Sequence, residues 1–537
     1  MELPKTTVES LVADRLAQIP RLRLPAHDVL DSLLQRSGVI REPVPGRIDF
    51  VHRTVQEYLA AKQAADLGDM DLLIRNAHLD AWRETVVMAA GHANEPLRRE
   101  LISGILDRAA SEPRRARILR LVAASCLETL PSLPDDLRAD LDRCLDSLTP
   151  PRSIAAARSL AAIGEPALTR LPEALVGMSE PAARAAIHLA RLVNGPAALD
   201  VLSRYGSDPR SMVQYELDQA WKYFDPEEYA VRVLTGAPPG VARQVDLSPA
   251  MAKALRLLPP LTDLTVQTRE PADLTYLGHH AQSVERLAHY ATDAAPAPNR
   301  LADLPRLREL VLDQPGLATL RFLDDLPELE QIWIVDCADI TDFEPLKRHR
   351  RLHTLVLFGS RRLTDVTMLP PLERLDLLAL SSSQLRCDLS DIVSRTPQLQ
   401  HLVLDNCEWV RDLSPLAPLP LVHLRLALVD PVSNIDALAT LSALRTLHLS
   451  GNAVRDLSLL TSLRHLRTLY LRECPNVSDL ACLSELPRLQ RLHIESIGPG
   501  VDLEPLAANR KLAVTISPGQ TVRGGVALGR RLKVLSE

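Results

Sequence analysis

The sequence predicts an α+β repeat protein, in which an all-α N-terminal region is followed by a solenoid with a curved parallel sheet. Three observations predict this class. Up to about residue 250 the apolar residues follow helical spacing, and from about Leu264 to Ile516 a Leu-x-Leu pair returns every 22 or 23 residues. The third is length, because 537 residues are too many for one compact core.

The N-terminal region shows apolar residues three and four positions apart, as in Ile118, Leu121 and Val122. Between about residues 153 and 234, Ala-rich segments are broken near Gly164, Gly195 and Asp225, about thirty residues apart. Paired helices with small contact residues fit this spacing and resemble HEAT-type repeats. An irregular helical bundle is the alternative.

The clearest repeats begin their strands at Leu402, Leu424, Leu447, Leu469 and Leu492, in steps of 22, 23, 22 and 23 residues. Such a period is typical of leucine-rich repeats. Alternate side chains of a strand point to opposite faces, so Leu447 and Leu449 are expected inside and His448 outside. The repeats therefore predict one long open face, which suits binding better than enclosing a reacting molecule.

Earlier strands are predicted at Leu264, Leu287, Leu310, Ile332, Leu355 and Leu375. The step from Leu375 to Leu402 is 27 residues, which breaks the period. Residues 381–387 then form either a bulge or a longer repeat with a helical outer side.

The outward strand positions form the candidate binding surface. Aromatic and Arg side chains are common anchors at protein interfaces, and only 3% of the chain is aromatic. The ligand-binding candidates on the concave face are Trp333, Phe358, Asp405, Arg425, His448, Tyr470, Arg472 and His493. Val335, Val356 and Glu495 are predicted to point to the same outward face.

The segments that follow the strands repeat Asp before a short apolar stretch, at Asp342, Asp412, Asp456, Asp479 and Asp502. A carboxylate there can cap a short helical turn. The pattern resembles the short repeats of internalins and phosphatase regulators. Cys337, Cys407 and Cys474 each fall five residues after the first apolar residue of a strand, where packing is expected and a redox or metal role is not.

One motif lies outside the repeats. It comprises Leu33-Leu-Gln-Arg-Ser-Gly-Val-Ile-Arg-Glu and, after a short gap, Ile48-Asp-Phe-Val-His-Arg-Thr-Val-Gln-Glu-Tyr-Leu-Ala-Ala61. This segment resembles the end of the winged-helix region that follows the nucleotide-binding domain of NACHT-type signalling ATPases, the NOD-like receptors and their bacterial relatives (STAND ATPases). The resemblance implies that His52 can contact the β-phosphate of bound ADP, and that residues 56–61 pack the winged helix on the next domain.

The sequence contains no Gly-x-x-x-x-Gly-Lys-Ser/Thr, so it has no phosphate-binding loop of its own. Together these features divide the chain into a winged-helix remnant (1–65), a helical linker domain (66–150), HEAT-like repeats (151–250), a leucine-rich-repeat array (251–517) and a C-terminal tail (518–537).

These features predict a protein that is not an enzyme and carries neither cofactor nor metal. We expect a ligand-sensing, protein-binding module of a NACHT-like signalling protein, which the resemblance connects with innate immunity or antiphage defence. Its partners would be a protein on the concave face and a NACHT ATPase domain or subunit. The alternative is a free adaptor that acts through its repeats without any ATPase.

Net charge and hydropathy indicate which partners and which cellular compartment to expect. The formal net charge of −6 disfavours a nucleic-acid partner, and there is no signal-peptide pattern and no long apolar run. The sequence therefore predicts a cytoplasmic protein without a membrane partner.

Overall fold

The computed structural model describes residues 2–19, 21–130, 133–269, 274–292, 301–336, 338–381, 385–386, 388–405, 409–427, 434–451 and 453–535. The chain forms two compact units, Met1–Phe224 and Asp225–Glu537. The first is mostly helical and the second is built on a parallel sheet. The predicted order of a helical region followed by a parallel-sheet solenoid is confirmed.

The helical unit begins with a small antiparallel sheet of β1 (Leu3–Pro4), β2 (Ile40–Val44) and β3 (Arg47–Phe50), in the order β1-β3-β2. Two helices, α1 (Lys5–Ala17) and α2 (Ala26–Arg36), separate β1 from β2. The helices that follow are α3 (Arg53–Leu67), α4 (Met70–Asn76), α5 (Arg83–His92), α6 (Glu95–Ser111), α7 (Ala116–Ser125), α8 (Asp135–Leu148), α9 (Ile154–Ala161), α10 (Glu165–Leu168), α11 (Glu180–Val193), α12 (Gly195–Ser203) and α13 (Ser211–Trp221).

The core of this unit starts only at α3. Ala61 and Ala64 of α3 pack in one apolar cluster with Met70, Val86 and Leu101. By contrast, Leu30 and Ile48 are the only buried side chains among the described residues before Val51. The first fifty residues therefore bury little apolar surface of their own.

Two truncations should separate these parts. Removal of residues 1–50 is expected to change the melting temperature of the helical unit little, because two buried side chains are lost. Removal of residues 1–67 should unfold it, because α3 supplies three buried alanines, Ala61, Ala64 and Ala65, to the core. Thermal denaturation followed by circular dichroism measures both, and equal losses would contradict the assignment of the core.

The repeat unit contains β4 (Arg243–Asp246), β5 (Asp263–Thr268), β6 (Arg286–Ala291), β7 (Glu309–Asp313), β8 (Gln331–Val335), β9 (Thr354–Phe358), β10 (Leu377–Ser381), β11 (His401–Asp405), β12 (His423–Ala427), β13 (Thr446–Ser450), β14 (Thr468–Arg472), β15 (Arg491–Glu495), β16 (Val501–Asp502), β17 (Ala513–Ile516), β18 (Val522–Arg523) and β19 (Leu532–Val534). Its α-helices are α14 (Pro226–Tyr229), α15 (Pro249–Leu255) and α16 (Leu389–Arg395).

In the described ranges, fourteen of these strands form one parallel sheet in chain order from β4 to β19, without β16 and β18, which pair with each other. The sheet extends beyond the predicted range of 251–517 at both ends, through β4 and β19. The segment expected to be a tail thus adds a strand, because Val514 and Ile516 of β17 pair with Leu532 and Val534.

Inward leucines stack in register from repeat to repeat, as predicted. Leu447 lies opposite Leu469, which lies opposite Leu492, and all three are fully buried. Burying such side chains is the main source of stability in the array, because each repeat packs only against its neighbours.

The predicted strand start at Leu375 is wrong. Strand β10 faces inward with Leu378 and Leu380, and Leu378 pairs with Leu355 and Leu402. The steps are therefore 23 and 24 residues, and no 27-residue step exists. Leu375 is buried three residues before the inward leucine, the place that Leu352 and Leu399 hold in the adjacent repeats. The helical outer side is present as α16; residues 382–384 and 387 lie outside the described residues.

All five repeated aspartates start a short turn on the outer side of the sheet, as predicted. In each case the carboxylate accepts a hydrogen bond from the backbone N–H two residues later, at 2.8 Å from Ser414, Ser458 and Ala481, 2.9 Å from Glu504 and 3.0 Å from Glu344. These Asx turns lead into single turns of 3₁₀ helix such as Ala481–Glu485.

Loss of one such cap should be measurable. Asp479→Ala is expected to lower the free energy of unfolding by about 1 kcal/mol, the usual value of a capping side chain. Asp479→Asn keeps the acceptor oxygen and should lose much less. Urea denaturation of the two variants gives the comparison, and equal losses would show that charge rather than the cap matters.

Cys474 is fully buried, as predicted, and its burial raises the pKa of the thiol to about 11. A thiol with such a raised pKa is a packing residue rather than a nucleophile. Cys337 and Cys407 lie outside the described residues.

Candidate functional site

A groove of about 740 Å³ runs across the outward face of the sheet from β9 to β17. Seven of the eight predicted ligand-binding residues line it together: Phe358, Asp405, Arg425, His448, Tyr470, Arg472 and His493. The eighth, Trp333, lies on β8, beyond the Phe358 end. We call this site the groove.

Five rings form a row along the outward face of β11 to β15, which we call the ring row: His401, His423, His448, Tyr470 and His493. The last three line the groove. The ring of Tyr470 is stacked between two imidazoles, with ring centroids 3.8 Å from His448 and 4.2 Å from His493. The interplanar angles are only 10° and 8°. His423 lies 5.1 Å from His448 and 6.0 Å from His401, in tilted geometry.

Parallel stacking has a chemical consequence for a ligand. Both faces of Tyr470 are covered by its neighbours, so only ring edges are open to a bound molecule. Those edges carry the imidazole nitrogens and the phenol oxygen, which donate and accept hydrogen bonds. Within the described residues, none of these atoms forms a hydrogen bond to the protein. The ring row thus offers hydrogen-bonding edges.

Three imidazoles of the ring row, those of His423, His448 and His493, have lowered pKa values. Burial, with smaller effects of His423, Arg425 and His493, lowers the pKa of His448 to about 4. Burial also lowers the pKa of His423 and of His493. Near neutral pH these three rings are uncharged.

Ion pairs lie beside the ring row. Arg425 Nε lies 2.8 Å from Asp405 Oδ1. Arg472 Nε lies 3.4 Å from Glu495 Oε1 and 3.3 Å from Glu473 Oε1. Both guanidiniums therefore have carboxylate partners, and the groove carries charges of both signs.

On the earlier strands, the outward face offers few accessible side chains at the third strand position. The third strand positions of β6, β7, β9 and β10 are Ala288, Val311, Val356 and Ala379, all at most 7% exposed. The expectation that Val356 is a contact residue is therefore wrong, because the side chain is 1% exposed. Trp333 is half-buried between Val311 and Val356, and its indole N–H is buried without a partner among the described residues.

His52 is exposed at the start of α3, where its backbone carbonyl accepts hydrogen bonds from Val55 and Gln56. The helix that follows has two sides. Glu57 and Ala61 are buried, and Glu57 pairs with Arg53 at 2.7 Å, whereas Tyr58 remains 45% exposed and contacts the ring of His92 edge-on.

Two members of the ring row were missed by sequence reasoning. His401 and His423 occupy the first strand position, whereas the candidates were chosen from the third and fifth positions. First and third positions share parity, so an outward aromatic residue at either position is the signal that finds them.

Comparison with known proteins agrees with the repeat assignment. Residues 442–487 match the family model of leucine-rich repeats, in two copies. These residues are leucine-rich repeats. No curated protein is significantly similar to the chain.

Solved structures of three leucine-rich-repeat proteins are similar at low identity. An internalin, InlF, from Listeria monocytogenes is 16% identical over 56% of this chain and 86% of its own, with a TM-score of 0.32. A leucine-rich-repeat protein of Leptospira interrogans is 15% identical over 54% and 81%, with a TM-score of 0.36. A plant peptide hormone receptor in complex with RGF2 is 13% identical over 57% and 67%, with a TM-score of 0.24. Such values transfer no function.

Two further features of the described residues bear on the site. They contain no group of three His, Cys, Asp or Glu arranged to hold a metal ion. None of the helices among them combines the length and apolarity needed to cross a bilayer.

Proposed function

We propose that the groove binds a segment of a partner protein and that the protein acts without catalysis, as a sensor or scaffold. The observation that carries the proposal is the convergence of seven outward residues from six strands on one groove. In leucine-rich repeats the inward leucines stabilise the array, so the outward residues can serve binding without loss of stability.

The chemistry of the groove favours a polypeptide. A peptide backbone supplies both N–H donors and C=O acceptors, which match the donor and acceptor atoms at the edges of the ring row. Nucleobases and sugars are commonly bound through ring faces, and both faces of Tyr470 are covered. Buried aromatic and Arg side chains are also the usual anchors of protein interfaces.

The test is selection of a random peptide library against the full chain, followed by affinity measurement on variants. Tyr470→Ala should weaken the selected peptides by at least roughly tenfold, as for an interface anchor worth about 2 kcal/mol. The matched control is Tyr215→Ala, which removes a 39% exposed tyrosine of the helical unit. Equal binding by Tyr470→Ala and wild type would exclude the groove as the binding site.

We further propose that the first fifty residues dock on a NACHT-type nucleotide-binding domain, in a cytoplasmic signalling protein with a defence role. The resemblance of residues 33–61 supports this, as does the order β1-α1-α2-β2-β3 ahead of His52, which fits a winged helix. The segment also has apolar side chains exposed to solvent: Leu11 is 57%, Leu24 55% and Val44 53% exposed.

This second part can be tested with ADP. If His52 contacts nucleotide, ADP should raise the melting temperature of the wild-type chain but not of His52→Ala. Identical responses of the two proteins would contradict a role for His52. His27→Ala is the control, because His27 is another exposed histidine of the same segment.

A free adaptor is the second candidate. It is favoured by the placement of every groove residue in the repeat unit. An adaptor should bind its peptide equally well after removal of residues 1–50 and should show no effect of any NACHT domain added in trans.

A further inference from the structure

The loops that lead into the last strands carry an unusual set of charges. Residues 442–446, 464–468, 487–491 and 509–513 contain seven basic residues and no Asp or Glu. We call these seven the basic strip: Arg445, Arg464, Arg467, Arg488, Arg491, Arg510 and Lys511. All seven are exposed. The acidic residue closest in the chain is Glu485, at the end of the 3₁₀ turn before the third loop.

The strip is continuous across neighbouring repeats. The backbone N–H of Arg467 donates to the carbonyl of Arg445 at 2.8 Å, and Gln490 N–H donates to the carbonyl of Arg467 at 2.8 Å. Ala513 N–H in turn donates to Gln490 at 2.8 Å. Strands in a sheet are about 4.8 Å apart, so the successive loops that carry the cations lie side by side.

In earlier repeats, some basic residues at the corresponding places form ion pairs. Arg351, in the loop before β9, pairs with Glu328 of the loop before β8. At the start of β6, Arg286 lies 2.8 Å from Asp263 and 2.8 Å from Glu309 on the strands beside it. Within the described residues, no carboxylate lies at ion-pair distance from any member of the basic strip; Arg488 contacts only the ring of His465, at 3.0 Å.

The strip lies beside one border of the groove, where the strands that line it begin. Thr446, Thr468 and Arg491 are the first residues of β13, β14 and β15, two positions before His448, Tyr470 and His493. The opposite border, at the ends of the strands, carries Asp405, Glu473 and Glu495. A molecule that extends from the groove past the starts of these strands thus meets unpaired cations there and paired charges at the opposite border.

We propose that the basic strip binds an acidic segment of the partner protein that occupies the groove. This rests on the proposed function and adds the charge of the partner. Unpaired cations at the rim of an interface steer an oppositely charged partner and add affinity that salt weakens. A nucleic acid fits less well, since single strands bind through open ring faces and both faces of Tyr470 are covered.

The experiment compares three fluorescent probes at 50 mM salt: a ten-residue Glu-Ala peptide, a ten-residue Lys-Ala peptide and a single strand of ten thymidines. The full chain should bind the Glu-Ala peptide and not the Lys-Ala peptide. The triple variant R445Q/R467Q/R491Q should bind it roughly tenfold more weakly, from three rim contacts of about 0.5 kcal/mol each. Raising the salt to 300 mM should weaken the wild type in the same direction.

The matched control is R114Q/R117Q/R138Q, which removes three exposed arginines of the helical unit. It should bind like the wild type, and both triple variants should keep the wild-type melting temperature. Tighter binding of the thymidine strand than of the Glu-Ala peptide would overturn the proposal in favour of a nucleic-acid surface. Binding of neither, or equal binding by the two triple variants, would also overturn it.

Failure here and failure of the groove proposal remain distinguishable. If library peptides depend on Tyr470 but the Glu-Ala peptide does not bind, only the acidic partner is wrong. If the Glu-Ala peptide depends on the three arginines while Tyr470→Ala leaves all peptide binding unchanged, the groove proposal is wrong.

Discussion

Leu469→Ala is expected to lower the free energy of unfolding by about 3 kcal/mol, whereas Tyr470→Ala on the next residue should lower it by less than about 1 kcal/mol. Leu469 is fully buried between Leu447 and Leu492, so truncation leaves a cavity as well as lost apolar contact. Tyr470 points to the opposite face and is only partly buried.

The two substitutions, Leu469→Ala and Tyr470→Ala, separate effects on folding from effects on binding within one strand. Guanidinium denaturation should show the large loss for Leu469→Ala, and peptide affinity the large loss for Tyr470→Ala. Because each repeat is supported only by its neighbours, the leucine variant should first open the C-terminal repeats. Hydrogen exchange would detect faster exchange in residues 442–516 before the helical unit is affected. Similar stability of the two variants would contradict the predicted inward and outward faces.

His289→Leu is expected to stabilise the protein by about 1–3 kcal/mol at pH 7, the typical cost of a buried polar group without hydrogen bonds. His289 is 0% exposed at an inward position, between Val266 and Leu312 on the adjacent strands. Neither ring nitrogen has a hydrogen-bond partner among the described residues. Leucine, the residue that most repeats place there, removes both polar atoms.

The same substitution should reduce sensitivity to acid. Burial lowers the pKa of His289 from 6.5 to about 4, so the unfolded chain takes up this proton at higher pH than the folded protein. Protonation of His289 in the unfolded chain therefore costs no stability above about pH 6.5 and lowers the stability of the folded protein progressively as the pH falls towards 4. Between pH 7 and pH 5 the wild type should therefore lose about 2 kcal/mol more than the variant.

Urea denaturation at pH 7 and pH 5 measures both effects. His27→Leu is the control, since the side chain of His27 is 64% exposed and its replacement should change stability by less than about 0.5 kcal/mol. A destabilised His289→Leu variant with unchanged pH dependence would show that the imidazole is satisfied in the native protein.

Strand parity and spacing could be predicted from sequence because they are local. A Leu-x-Leu pair must turn both leucines to one face, so the positions of His448, Tyr470 and His493 followed directly. The same logic misplaced β10, because Leu375 and Leu378 are both buried and either one starts a Leu-x-Leu pair. Only pairing with Leu355 and Leu402 decides between them.

The sequence by itself determined the class of fold, the inward leucines and the set of outward residues from which the groove is built. The tertiary structure decided which of those outward residues meet. It stacks Tyr470 between two imidazoles and buries Val356. It also pairs Arg351 with Glu328, whereas Arg445, Arg467 and Arg491 have no carboxylate partner among the described residues. The reason is that parity is set within one strand, whereas stacking, burial and ion pairing depend on side chains 22 to 24 residues apart that only the packed repeats bring together.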